Sequence, residues 1–328
     1  MENKRKWRWG VNRWFVFAAM ALAIVGASIF PAVSPHIQVA PEALTEHPLF
    51  TLPVIGEFIP TNTLVAVLLV DVILITMALL VRKATRSGEL VPKGISGAVE
   101  ALIEGLYNLT ESTAGKWAKS IFPWFATITL MVLFANWLEL IPGVDSIGIL
   151  HQTQHGYPLI QLSQGIAAIV RGEAAAGEAF NVIPYVRVPS TDLNFTVSLA
   201  IISVVMTQVI GLRAQGPRYL SKFFNVTTIF KKPGLGLMDL LVSILELISE
   251  FSKVLSFSFR LFGNIFAGSV LLFLVGSILP AGAVWMQSGI LLFEFFIGLI
   301  QAVVFGMLTM VFMSMATHGH GDEEHAEA

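Results

Sequence analysis

The sequence predicts an all-α polytopic membrane protein, with about five core membrane helices and an additional apolar segment at its N-terminus. Of the 328 residues, 55% are hydrophobic and only 13% are charged, whereas soluble domains contain about 25% charged residues. The apolar residues also collect into runs of about 20 or more, which is the length that a helix needs to cross a bilayer. The last two runs are longer and predict a tilted, antiparallel pair of C-terminal helices.

Composition excludes several classes of function. The net charge of -2 and the lack of a dense basic run argue against a nucleic-acid partner. The chain has no cysteine, which excludes disulfides, thiolate metal sites and cysteine nucleophiles. It also has no Walker A loop, glycine-rich dinucleotide motif or HExxH sequence, so no cofactor is expected.

The N-terminal region can be interpreted in two ways. Residues 1–13 are basic and aromatic, and residues 14–33 form an apolar run. This pattern fits either a cleaved signal peptide or a retained, short spanning helix. In both cases residues 34–60 lie outside, because the Lys/Arg cluster holds the N-terminus in the cytoplasm.

Three spans are predicted before residue 215, at Thr63–Val81, Phe122–Ile141 and Asp192–Leu212. Basic clusters after the first and third place those ends in the cytoplasm by the positive-inside rule. Residues 95–119 predict an amphipathic helix at the inner membrane surface, and residues 143–191 a long, mostly polar loop. Asp192 or Thr191 is the expected N-cap of the third span.

The stretch from Met238 to Leu279 is apolar for about forty residues, so as a helix it is about 60 Å long, twice the hydrocarbon thickness of a bilayer. Such a helix must tilt strongly, kink or lie partly across the membrane. After Pro280 a final helix from about Val284 to Thr317 returns to the cytoplasm. The predicted helices divide the chain into an N-terminal extension (1–60), an integral membrane domain (61–317) and a polar tail (318–328).

The long helix carries a stripe of polar residues. Within an arc of roughly 80° lie Glu246, Glu250, Lys253, Phe257, Arg260 and Asn264. An ionisable group at membrane depth costs about 2.5–3.5 kcal/mol, so it normally faces protein or a water-filled path. One interpretation pairs Lys253 with a neighbouring Glu and lets Arg260 reach towards the interface. The other makes the stripe part of an ion path, because Arg260 has no acid within one turn.

The final helix repeats this pattern more sparsely. Gln287, Glu294 and Gln301 are spaced by seven, which keeps them within about 40° of one face. Glu294 is either a protonated, hydrogen-bonded structural acid or a group that exchanges protons with such a path.

Four motifs resemble a known family: Asn136–Pro142 (NWLELIP), Pro189–Asn194 (PSTDLN), Ser258–Gly268 (SFRLFGNIFAG) and the last helix at 300–302 and 314–316. In this order they resemble subunit a of the F-type rotary ATP synthase membrane sector. The resemblance covers roughly residues 62–316. The first sixty residues lie outside it and look like an addition to the family pattern.

The resemblance implies a stator that is not catalytic alone and that faces a rotating ring of subunit c. Its other implied partners are the peripheral stalk subunit b, the remaining ATP synthase subunits and the lipid bilayer. Two offset half-channels would pass protons to and from the ring, with Arg260 between them as the family's essential arginine. Asn264 and Gln301 match residues that line the access path, and Glu246 matches the acid of the cytoplasmic half-channel. Glu250 is a further candidate for ion translocation.

The chain departs from the family pattern in two places. Many members carry an acid nine residues after the arginine, where this chain has Ser269, and a histidine seven before the glutamine, where it has Glu294. We interpret this as an exchange in which the carboxyl moves to the facing helix and the half-channel keeps a titratable group.

A self-sufficient secondary cation/proton transporter is the alternative function. The lack of internal repeats and matching broken helices disfavours it. The Lys/Arg topology and the absence of import signals favour a bacterial plasma membrane, with the C-terminus in the cytoplasm.

Overall fold

A computed structural model describes residues 38–45, 47–53, 56–86, 94–141, 144–163, 166–170, 172, 174, 178–223, 233–278 and 283–318, with isolated positions between 13 and 25. Apart from those positions, the predictions for the apolar run 14–33 lie outside the described residues, as do those for the tail beyond residue 318.

Within that part of the chain, six long α-helices form the fold: α1 (Asn62–Arg86), α2 (Ile95–Ala114), α3 (Ala118–Trp137), α4 (Leu193–Gln215), α5 (Pro233–Ile278) and α6 (Ala283–Thr317). Among the described residues, 5 segments are long and apolar enough to cross a membrane, with α2 and α3 forming one of them. The predicted all-α polytopic fold is confirmed. The long C-terminal pair is also present, with 46 residues in α5 and 35 in α6.

The amphipathic segment ends earlier than predicted. α2 exposes Glu100 and Glu104 and turns Ile103 and Leu106 towards the core, as the sequence predicts. It stops at Ala114, because Gly115 adopts a positive φ of 49° that only glycine tolerates easily, and a 3-10 turn follows. α3 therefore starts four residues before the predicted Phe122.

The region predicted as a polar loop contains antiparallel ladders. Strand β3 (Gly148–Tyr157) pairs with β6 (Phe180–Pro184), and β4 (Leu159–Ser163) pairs with β5 (Ile166–Ile169). A smaller hairpin, β1 (Phe50–Leu52) and β2 (Gly56–Phe58), precedes α1. The β3–β6 pairing joins residues between 23 and 36 positions apart, so local sequence patterns do not reveal it.

The main hydrophobic core joins α3, α4, α5 and α6 through Ile128, Val132, Leu133, Leu199, Ala200, Phe257, Leu261, Ile265, Ala302 and Phe305. Polar contacts between helices support it, since Ser203 and Thr309 lie 2.8 Å apart and Ser314 donates to the Thr113 carbonyl at 3.1 Å. Asp192 is the N-cap of α4 and accepts from the Asn194 N–H at 2.8 Å, as predicted.

Candidate functional site

The predicted polar stripe of α5 runs along the boundary between its packed and exposed faces. Phe257 and Glu250 are buried, whereas Arg260 and Asn264 are exposed. The four-residue spacing of Phe257, Leu261 and Ile265 directs one face into the core, so Arg260 and Asn264 point away from it. Arg260 Nη2 donates to Ser256 Oγ at 3.3 Å. Among the described residues, the guanidinium has no carboxylate partner.

Contacts between α5 and α6 determine which residues of α5 lie opposite Gln301. Phe257 packs on Phe305 with ring centroids 5.3 Å apart, and the Glu294 side chain lies against Gly268. In an antiparallel pair with this register, Gln301 lies opposite Leu261, within one residue of Arg260 along α5. Gln301 is half-buried. The helix pair therefore places Arg260, Asn264 and Gln301 within about one helical turn of each other along the bundle.

A cluster of four charges lies beside the part of α5 that precedes Arg260. Lys222, in the 3-10 segment Gly216–Lys222 after α4, forms an ion pair with Glu246 and lies 3.5 Å from Glu250 Oε1. Lys253 Nζ donates to the same Glu250 oxygen at 2.8 Å. Of the two interpretations of the stripe, the one that pairs Lys253 with a neighbouring Glu describes the contact that Lys253 makes. The cluster contains two acids and two bases, so their formal charges cancel.

A second acidic group lies beside the part of α5 that follows Arg260. Glu139, the middle residue of the 3-10 turn Leu138–Leu140 after α3, is buried and lies close to Ser269 and Glu294. Neither Glu139 oxygen has a hydrogen-bond partner that meets normal geometry among the described residues. Two carboxylates in close proximity repel each other when both are ionised. Glu139 and Glu294 therefore form one acid pair between the turn after α3 and α6.

The NWLE motif fixes this acid pair. Asn136 Nδ2 donates to the Gly298 carbonyl at 3.1 Å, and Trp137 Nε1 donates to the Phe295 carbonyl at 3.3 Å. Trp137 also stacks on Phe295 with centroids 4.8 Å apart. The turn that carries Glu139 is therefore bound to the stretch of α6 that carries Glu294.

A cavity of about 590 Å³ opens beside this group, at the end of the bundle where α5 ends. Its floor includes Phe266, Ser269 and Gln287, and its outer wall includes Glu42, Asp145 and Arg187. Ser269 lines the cavity and also contacts Glu139, so it joins the open space to the acid pair. Burial raises the pKa of Asp145 to about 6, although the Arg187 charge opposes this shift.

The sequence identified most of the polar residues but missed several partners. Lys222 counted only as part of a cytoplasmic basic flank, and Glu139 and Asp145 received no role. Their partners lie far away in sequence, so spacing along one helix gives no signal for them. For Glu139, the sequence offered one signal, which is an ionisable residue at the end of an apolar span.

Comparison with known proteins agrees with the resemblance. The family model described as "ATP synthase A chain" matches residues 63–314. ATP synthase subunit a of Syntrophobacter fumaroxidans is 28% identical over 72% of this chain and 78% of its own length. The Campylobacter jejuni (strain RM1221) subunit a is 31% identical over 71% and 81%.

A third relative extends further. "ATP synthase subunit a, sodium ion specific" of Propionigenium modestum is 26% identical over 95% of this chain and 94% of its own length. Coverage of this extent reaches well before residue 63, so sequence in this region is not peculiar to this chain. Given the family match over most of its length, this chain belongs to the ATP synthase subunit a family and is a multi-pass component of the ATP synthase membrane sector.

Proposed function

We propose that this chain is the stator that couples proton flow to rotation of a ring of subunit c. The observation that carries the proposal is the exposed Arg260, which has no acidic partner in the described chain and lies between two groups of acids along α5. A guanidinium at membrane depth needs a counter-charge or water. A membrane-embedded carboxylate on a ring hairpin would supply that counter-charge.

The two acid groups are offset along α5. Glu246 lies fourteen residues before Arg260, about 21 Å along the helix, and Ser269 lies nine residues after it, about 13 Å. The inner group, Glu246 and Glu250 with their lysine partners, would line the cytoplasmic half-channel. The outer group, Glu139 and Glu294 with the adjoining cavity, would line the other. No single path then needs to cross the whole membrane.

Arg260 would act as the barrier between these paths. A guanidinium stays protonated in proteins, so it cannot relay a proton by losing its own. It favours the ionised form of an arriving ring carboxylate, which releases its proton to the exit path. Asn264 and Gln301, at the same level, would hydrogen-bond that carboxylate as it passes.

The remaining expectations follow from this role. The chain would contact subunit c through the exposed face of α5 and α6 and would be anchored by subunit b. The basic flanks of α1 and α4 would lie in the cytoplasm of a bacterial cell, and the C-terminus after α6 would lie there too.

The test is ATP-driven acidification of inverted membrane vesicles that carry the whole complex, for wild type and Arg260→Ala. We expect the variant to lose pumping while the attached head still hydrolyses ATP. Arg213→Ala, which removes an exposed arginine at the inner end of α4, is the matched control and should pump normally. Unimpaired pumping by Arg260→Ala would refute the proposed role.

The same vesicles test the identity of the ion. A wild-type signal that does not respond to added sodium supports protons. A signal that is reduced by sodium, with uptake of the labelled cation in its place, would replace protons with sodium in the proposal.

A further inference from the structure

The outer cavity has a wall that comes from the segment before α1. Gln38 and Glu42 line the cavity together with Asp145 and Arg187. Both residues precede position 63, where the family match begins. The segment Gln38–Thr45, which we call the outer strap, therefore contributes side chains to a space that reaches down to Ser269.

The outer strap is bound firmly to the membrane domain. Glu42 and Asn62, at the start of α1, are joined by three hydrogen bonds. The Glu42 N–H donates to Asn62 Oδ1 at 3.2 Å, and the Asn62 N–H donates to the Glu42 carbonyl at 3.1 Å. Asn62 Nδ2 also donates to Glu42 Oε2 at 3.1 Å. Asn62 is fully buried. These bonds fix the Glu42 carboxylate in place.

Arg187 holds the other end of the strap. Its guanidinium donates to the Gln38 carbonyl and, at 3.1 Å, to the Ala40 carbonyl. Further along, Leu44 N–H donates to the Pro60 carbonyl at 2.9 Å. The strap thus has fixed contacts at its beginning, middle and end, as a permanent wall requires.

The wall carries charge of the sign that attracts cations. Glu42 and Asp145 both face the cavity, and Arg187 directs its donors to strap carbonyls. Two carboxylates and one guanidinium give the described lining a net negative formal charge, and such a charge raises the local concentration of cations. The raised pKa of Asp145, about 6, also suits a group that takes up and releases protons near neutral pH.

We propose that the outer strap is a structural wall of the outer half-channel and that Glu42 and Asp145 are the carboxylates at which cations first enter it. This inference rests on the proposed function. It identifies the residues that attract ions at the entrance of the outer half-channel, and it gives the segment before α1 a role in ion access.

The lack of cysteine permits a direct test by single-cysteine labelling. Gln38→Cys places a thiol on the cavity wall, whereas Val39→Cys, the matched control, places one on an exposed neighbour outside it. Intact cells carrying the whole complex are treated with a positively charged thiosulfonate reagent. ATP synthesis driven by an imposed ion gradient is then measured in right-side-out vesicles.

We expect labelled Gln38→Cys to synthesise ATP about tenfold more slowly, because an added positive charge repels incoming cations. Labelled Val39→Cys should keep its rate. Full labelling of Gln38→Cys without loss of rate would overturn the inference, as would a thiol at position 38 that the reagent cannot reach.

Charge removal provides a second measurement. The Glu42→Gln variant keeps an oxygen that can accept from Asn62, so it tests charge with little change in packing. Glu42→Gln and Asp145→Asn should raise the ion concentration that gives half-maximal synthesis and leave the rate at saturation unchanged. Equal half-maximal concentrations in the variants and the wild type would contradict the inference.

Arg260→Ala, measured in parallel, separates the two proposals. Loss of synthesis in Arg260→Ala with normal behaviour of the strap variants would refute only the outer strap. Normal synthesis in Arg260→Ala would refute the stator role itself.

Discussion

At the scale of single residues, Gly268 shows how closely α5 and α6 approach each other. A Cβ at this position would collide with the Glu294 carboxyl. We expect Gly268→Ala to displace that carboxyl and to slow ATP-driven pumping about tenfold or more, because a small misplacement of a transfer group is costly. Assembly of the complex should persist, since the end of a flexible side chain can move aside.

Gly289→Ala is the control for this prediction, because the same substitution in α6 meets open space. Pumping by Gly268→Ala at the rate of Gly289→Ala would show that the position of Glu294 does not matter.

Glu294 and Ser269 test the proposed exchange of a carboxyl between facing helices. Glu294→Gln removes the titratable group and should reduce pumping by about 100-fold or more. Ser269 Oγ donates to the Ile265 carbonyl of its own helix at 3.0 Å and does not titrate near neutral pH, so Ser269→Ala should cost about twofold at most. Initial rates in inverted vesicles measure both. Equal, negligible effects would exclude the exchange.

Asp145 gives a prediction about pH. Its pKa in the folded protein, about 6, exceeds the ordinary value of 3.8, so the folded state binds more protons than the unfolded state between these values. Stability therefore falls as pH rises from about 4 to about 6, by up to about 3 kcal/mol, and is constant above that range.

Asp145→Asn should remove this dependence. Thermal unfolding of the purified membrane sector between pH 4.5 and 7.5 measures it, with the variant more stable than wild type at pH 7.5 and similar at pH 4.5. Parallel curves for the two proteins would contradict the assigned shift.

At the scale of elements, the 3-10 segment after α4 and the inner half of α5 are joined by charges. Glu250 has two lysine neighbours, Lys222 and Lys253, so either one can remain when the other is removed. We expect Lys222→Gln and Lys253→Gln each to cost about 1 kcal/mol or less, because partly exposed pairs contribute little.

The double variant should cost more than the sum of the two, about 3 kcal/mol, since it leaves a buried carboxylate without a partner. Thermal unfolding of the complex in a double-mutant cycle measures this coupling. Additive effects would mean that Glu250 does not depend on the two lysines together.

The sequence predicted elements well where local signals are strong. Long apolar runs and Pro280 placed the ends of α5 and α6 within a few residues, apart from the start of α5, which lies five residues earlier than Met238. Asp192 was recognised as an N-cap because its side chain bonds locally. The β3–β6 ladder was missed, because its pairing depends on distant residues.

The residues of the candidate site also differ in whether local sequence signals predict them. Residues on one helix, such as Arg260 and Asn264, could be grouped from their spacing alone. Glu139 and Lys222 could not, because each acts through residues on other elements that only the folded chain brings near.

At the scale of the whole molecule, the described chain exposes the Arg260 guanidinium on the face of α5 that points away from the hydrophobic core. Arg260 is exposed between apolar neighbours such as Phe259, which is 53% exposed. Lipid can cover Phe259, but an arginine that faces lipid at the centre of a bilayer costs about 2.5–3.5 kcal/mol. Under the proposed stator role, a partner that presents an acid at this depth covers Arg260, and the chain alone lacks that acid.

This incompleteness predicts how the isolated chain behaves. Purified without its partners and reconstituted into liposomes, it should show no proton- or sodium-coupled uptake, whereas the whole complex should pump when ATP is added. Purification through a tag on this chain should also yield a small ring-forming membrane protein and a soluble ATPase head. Gradient-driven cation counterflow by the chain alone would favour the secondary-transporter alternative. The reason for expecting none is that Arg260 lies between the two acid groups along α5, and in the proposed mechanism an ion passes from one group to the other only on a ring carboxylate that moves past Arg260.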